Sequence, residues 1–169
     1  MKNVFQSVLF LLAITVATGV IAQTKPLSPP AVAEGTIDGV KIKIDYSAPS
    51  ARGRKMLGGN EAFGEVWRTG ANSSTSIEFS APVKIEGHDL AAGKYALFTI
   101  PGEKEWVIII NKTIAMGAFS YKKEEDVLRV TVPAGKPDAF VETFNISIVG
   151  KKVILKWENT QVAFGVTKK

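Results

Sequence analysis

Three of the four arginines of this chain, Arg52, Arg54 and Arg68, fall within one short stretch. A guanidinium presents five donors in a rigid planar fork, which suits carboxylates, phosphates and backbone carbonyls. Trp67 adds an aromatic plane to the same run, and Glu65, Thr69 and Asn72 add short polar groups. That combination describes a binding cleft for a glycan or an anionic small molecule, with donors at the rim and Trp67 as an apolar platform. It also describes a plug, in which Trp67 caps the fold and Arg68 pairs with Glu65 or with loop carbonyls. Asp45, Glu61, Glu65 and Glu78 lie in or beside the stretch. They keep a glycoside-hydrolase carboxylate pair open as an alternative, with the mechanism set by the separation of the two groups.

Other chemistries have fewer residues to draw on. The chain has no Cys and one His. This excludes disulfides, thiolate nucleophiles, Cys-ligated zinc and a His-rich metal centre. His88 is the one imidazole available to a Ser-His-Asp arrangement, and the sequence Glu86-Gly87-His88-Asp89 places it in a turn. There is no Asp-rich calcium loop and no Gly-rich phosphate motif leading into a helix. No catalytic residue, metal or cofactor is therefore assigned. A non-enzymatic binding or envelope-associated module is preferred to the hydrolase, and a purely structural domain is the third reading. Sequons at Asn72, Asn111 and Asn145 are read as chance matches in a chain of bacterial appearance.

The elements that must position these residues read as strands. Val40, Ile42, Ile44 and Tyr46 alternate with Lys41, Lys43 and Asp45, the signature of a strand with one buried and one wet face. Asp38-Gly39 before it supplies the turn of a hairpin with residues 31–37. Further strands are expected over 75–80, 83–86, 94–100, 106–111, 127–132, 140–149, 153–158 and 161–166, with turns at Gly87-His88, Pro101-Gly102 and Gly150-Lys151. A short helical turn is expected at 60–64. The pattern predicts an all-β fold over 31–169, a single antiparallel β-sandwich, with a β-barrel or jelly roll as the alternative. Tyr95, two residues after Gly93 at the head of an apolar strand, has the placement of a tyrosine corner. The arginine stretch belongs to a Gly-rich loop at 47–74. Its apolar residues, Met56, Leu57, Phe63, Val66 and Trp67, argue for packing on the fold.

Ahead of the strands, residues 1–22 carry Lys2, an apolar run and small residues ending at Ala22. This is the pattern of a secretory signal peptide, with cleavage after Ala22 and an extended linker at 23–30. The expected location is the periplasm or the cell exterior, with no stable membrane span after cleavage. Net charge is +5 for the whole chain, and loss of Lys2 lowers it by one. The excess is too mild for a nucleic-acid partner. Lysines 41, 43, 84, 94, 151, 152 and 156 fit wet sheet faces and protected edges. Oligomeric state has no signature here.

Several motifs carry a family resemblance. They are Tyr46-Ser47-Ala48-Pro49 with Arg52-Gly53-Arg54, Trp67-Arg68-Thr69-Gly70-Ala71-Asn72, and Ala92-Gly93-Lys94-Tyr95 with Phe98-Thr99-Ile100-Pro101-Gly102. Trp106 to Asn111, Gly117-Ala118-Phe119-Ser120-Tyr121 and Asp126-Val127-Leu128-Arg129-Val130 extend the likeness over nearly all the chain after the leader. Together they resemble the domain-of-unknown-function family numbered 2911, found mostly in exported proteins of Bacteroidetes. Many relatives carry Trp shortly before the Gly-Ala-Phe segment, where this chain has Met116. The resemblance implies export, and it brings no activity, cofactor or catalytic residue.

Overall fold

A computed structural model describes residues 26–114 and 121–169. The described residues fold as antiparallel β-structure: β1 (Pro30–Ile37), β2 (Val40–Ser47), β3 (Thr75–Phe79), β4 (Val83–Ile85), β5 (His88–Leu90), β6 (Gly93–Ile100), β7 (Glu105–Asn111), β8 (Asp126–Gly135), β9 (Val141–Val149), β10 (Lys152–Glu158) and β11 (Thr160–Lys168), with one 3-10 turn at Lys123–Glu125. Hairpin β1–β2 turns at Asp38-Gly39, both at positive φ, and runs in register from Ile37↔Val40 to Pro30↔Ser47. The alternation of β2 sends Val40, Ile42, Ile44 and Tyr46 inward.

The strands follow the order β1-β2-β3-β6-β7-β8-β11-β10-β9. β11 continues past β8 to pair with β4, which carries β5. The sheet curls until its two ends meet, so it is nearly closed into a barrel. Two features make the closure. A Cβ on Gly35 would lie 2.8 Å from Ile148 Cγ2, so glycine is what lets β1 approach β9. Beyond β2 the chain then runs along β9: Ala51 N–H donates to Glu142 O (2.9 Å) and Phe144 N–H to Pro49 O (2.8 Å). Tyr46 hydroxyl accepts from Ile146 N–H (3.1 Å) across the same seam.

Inside lies one core, in which Ile44, Ile77, Leu97, Ile108, Phe144, Trp157 and Phe164 are almost entirely shielded from water. A smaller cluster, Ala96, Phe98 and Ile109, lies on the opposite face of β6 and β7, with Tyr121 edge-on to Phe98 at 5.1 Å. The all-β expectation holds. Tyr95 hydroxyl donates to Ala91 O (3.1 Å), the bond back to the preceding backbone that defines a tyrosine corner. Two local readings change. The turn falls at Glu86-Gly87, both at positive φ, and His88 begins β5 by pairing with Ile85. Residues 60–64 form turns, not a helix, because Glu61 N–H returns to Met56 O and Gly58 N–H to Glu61 O. The leader at 1–22, linker residues 23–25, Met116 and the Gly117–Ser120 portion of the family-like motif lie outside the described residues.

Candidate functional site

The 47–74 loop inserts its tryptophan into the core. Trp67 is 3 % exposed. It stacks on Trp157 at 5.4 Å and meets Phe144 at 4.9 Å and Trp106 at 6.1 Å edge-on. Its indole N–H donates to Gly70 O (3.1 Å). Its backbone pairs with Thr99 on β6, with Trp67 N–H to Thr99 O at 2.7 Å and the return bond at 2.9 Å. The indole therefore presents no stacking platform at the surface. Thr69 follows, fully buried at φ 58, a rare conformation for a β-branched residue. Its hydroxyl donates to Thr99 Oγ1 (3.1 Å) and its carbonyl accepts from Thr75 Oγ1 (2.7 Å). These partners hold it there.

The three loop arginines do not converge. Arg52 is exposed, with Nη2 donating to Leu27 O (2.5 Å) and its backbone N–H to Glu142 Oε1 (2.6 Å). Arg54, also exposed, folds back on Ala51 O (3.0 Å) and Ser50 O (3.1 Å). Half-buried Arg68 donates to Asn72 O (3.0 Å). Each guanidinium thus spends donors on backbone carbonyls, those of the loop for Arg54 and Arg68 and that of Leu27 for Arg52. Glu65 is exposed, while Glu61 is half-buried; burial pushes its carboxyl above the ordinary range and the charge of Arg68 pulls it back. Asp45 and Glu78 belong to β2 and β3, so the four loop-associated carboxylates are divided between loop and sheet. The far side of the loop is held by Glu158, whose two carboxylate oxygens accept Met56 N–H (2.9 Å) and Leu57 N–H (2.8 Å).

Asn72 leads to a different place. Its Nδ2 donates to Ser47 Oγ (3.4 Å) at the mouth of a cavity of about 220 Å³. Ser47, Ser73, Ser74 and Ser76 line it together with Asp45 and Lys94. Asp45 is shared between Lys43 (3.3 Å) and Lys94 (3.6 Å). The Ser74 hydroxyl is buried and has no hydrogen-bond partner among the described residues. Gly70 makes the approach possible, since a Cβ there would sit 2.9 Å from Ser47 O. The sequence reading named Asn72 and Asp45 but not the serines. Their one signal was the polar run Asn72-Ser73-Ser74-Thr75-Ser76, whose convergence on Ser47 and Lys94 depends on pairing between distant strands.

A second polar cluster sits outside β7 and β8. Asp126 accepts from Asn111 Nδ2 (2.8 Å), Tyr121 hydroxyl (2.9 Å) and Arg129 Nε (2.6 Å). Burial first, and Asp126 next, hold the Tyr121 hydroxyl above its ordinary range. These groups satisfy one another and form a clasp over Phe98. The sequon residue Asn111 is consumed here, fully buried. His88 is exposed on β5. Among the described residues no group of His, Cys, Asp and Glu could hold a metal, and no helix is long and apolar enough to cross a membrane.

Fold and site thus define a small, nearly closed antiparallel β-domain whose core is completed by its own long loop. The family model described as protein of unknown function (DUF2911) matches residues 28–166, and the chain belongs to that family. No curated protein and no solved structure matches the chain.

Proposed function

We propose that this chain is an exported, non-enzymatic binding module that takes a small, hydroxyl-rich ligand of the size of a single sugar ring. The site is the serine-lined cavity beside Asn72. The observation that carries the reading is the convergence of Ser47, Ser73, Ser74 and Ser76 with Asp45 and Lys94 on one cavity, with the Ser74 hydroxyl unpartnered among the described residues. A serine hydroxyl both donates and accepts, a carboxylate accepts and an ammonium donates. A polyol uses all three kinds of group at once. An anion would meet Lys94 together with the opposing charge of Asp45, so the electrostatics favour a neutral ligand. Exposed Arg52 and Arg54 do not line this cavity. Lys2, the apolar run from Val8 to Ile14 and the small residues ending at Ala22 support export.

Calorimetric titration with a panel of neutral monosaccharides and hexuronates tests this. Saturable binding of at least one neutral sugar is expected, weakened at least tenfold by Lys94→Ala or Ser76→Leu and unchanged by Arg54→Ala with Arg68→Ala. If no neutral sugar is bound, or if the arginine pair abolishes binding, the assignment is wrong.

A further inference from the structure

We infer that the serine cavity is one end of a longer groove and that the natural ligand is a neutral linear glycan laid along the outer face of β1, β2 and β3. This rests on the reading of the small cavity given above. A second, larger cavity of about 530 Å³ opens on the same sheet, lined by Glu34, Thr36, Lys41, Lys43, Glu78 and Ser80. The strand period joins the two. Along β2, Lys41 and Lys43 face the larger cavity, and Asp45 and Ser47, next on the same face, line the smaller one. Along β3, Ser80 and Glu78 line the larger and Ser76 the smaller. One ion pair and one register pairing bridge them: Lys43 reaches Asp45 at 3.3 Å, and Lys94 of the smaller cavity stands directly opposite Glu78 of the larger in the sheet. From Lys41 to Ser47 the face runs roughly 20 Å at the rise of an extended strand, longer than one sugar ring.

The charge pattern selects the ligand class. Glu34, Lys43, Glu78 and Lys94 oppose one another in register across four adjacent strands, so the sign alternates across the face. A polyanion would meet Glu34, Glu78 and Asp45; a polycation would meet the lysines. A neutral chain with a hydroxyl on every unit finds donors and acceptors in alternation. Backbone groups of β2 and β3 are committed to the sheet ladder, so recognition falls to side chains, which disfavours an extended peptide that binds through its main chain.

The test is a titration series of neutral linear oligosaccharides of one to six units, with the parent chain and with Glu78→Leu. Affinity is expected to rise at least tenfold from the monosaccharide to the tetrasaccharide. Glu78→Leu should remove that gain, so that the variant binds tetrasaccharide no more tightly than monosaccharide. Monosaccharide binding with no dependence on chain length overturns the groove and leaves the small-cavity reading standing. Retention of the gain in Glu78→Leu, or binding of acidic polysaccharides alone, also overturns it. Binding of no sugar of any length overturns both.

Discussion

Replacing Trp67 by alanine removes the ring on which Trp157 stacks and which Phe144 and Trp106 meet edge-on. It also leaves Gly70 O without the indole donor. Large-to-small changes of a buried aromatic cost about 3–5 kcal/mol, and denaturant unfolding of Trp67→Ala should show a loss of that order, with Trp67→Phe milder. A loss below about 1 kcal/mol, the level of ordinary surface substitutions, would mean that the loop is not part of the core. Glu158 works from the other side, as an anion taking two backbone donors of the loop. Glu158→Ala should cost about 1.5–3 kcal/mol, the range for hydrogen bonds to a charged group, and should speed tryptic cleavage at Arg52 and Arg54. Glu61 has the opposite sign. Because burial raises its carboxyl in the folded state, the unfolded chain gives up that proton at lower pH. The folded form therefore gains relative stability as pH falls through the raised range. Glu61→Gln mimics the protonated group, so it should melt higher than the parent at neutral pH. The difference should vanish below the ordinary carboxylate range, and a constant difference at all pH values would refute the assignment.

Between β1 and β9 the decisive element contact is made by a residue with no side chain. Gly35→Ala places a Cβ 2.8 Å from Ile148 Cγ2. Overpacking of this kind costs about 1–3 kcal/mol, and Ile148→Ala in the same chain should recover part of it, a coupling that a double-mutant cycle reads directly. Additive losses would mean that β1 and β9 do not bear on each other there. The seam also shows how far sequence carries. Alternation in 40–46 and the Asp-Gly turn marked β2 and its hairpin, because period and turn chemistry are local. Tyr95 was readable for the same reason. β5 was hidden: three residues are too short for a period, and the Gly87-His88 pair drew the turn one residue too far along. The loop was visible as a loop, with enough apolar residues to pack. The inward course of Trp67 was not visible, since Trp157 and Phe144 are its partners from far along the chain. The serine cavity was hidden likewise, because it is assembled by the register of β2, β3 and β6.

At the scale of the whole molecule, the three tryptophans come from three places in the chain: Trp67 from the loop, Trp106 from β7 and Trp157 from β10. The rings of Trp106 and Trp157 both meet Trp67. The loop is thus tied to separate strands of the sheet, and through Glu158 to the β10–β11 turn. An element bound at so many separate points cannot detach without opening the core, and small single domains of this size unfold as one cooperative unit. Membership of the family over residues 28–166 covers loop and strands alike, so the loop belongs to the domain rather than decorating it. Tryptophan fluorescence, which reports the ring cluster that anchors the loop, and far-UV circular dichroism, which reports the strands, should therefore give coincident denaturation curves with one midpoint. A fluorescence change that precedes the loss of β-signal would show the loop leaving first. In that case the cavity beside Asn72, whose serines 73 and 74 sit at the loop's exit, would open before the sheet does. Saturating sugar should then shift the fluorescence midpoint alone, whereas in a cooperative domain it moves both curves together.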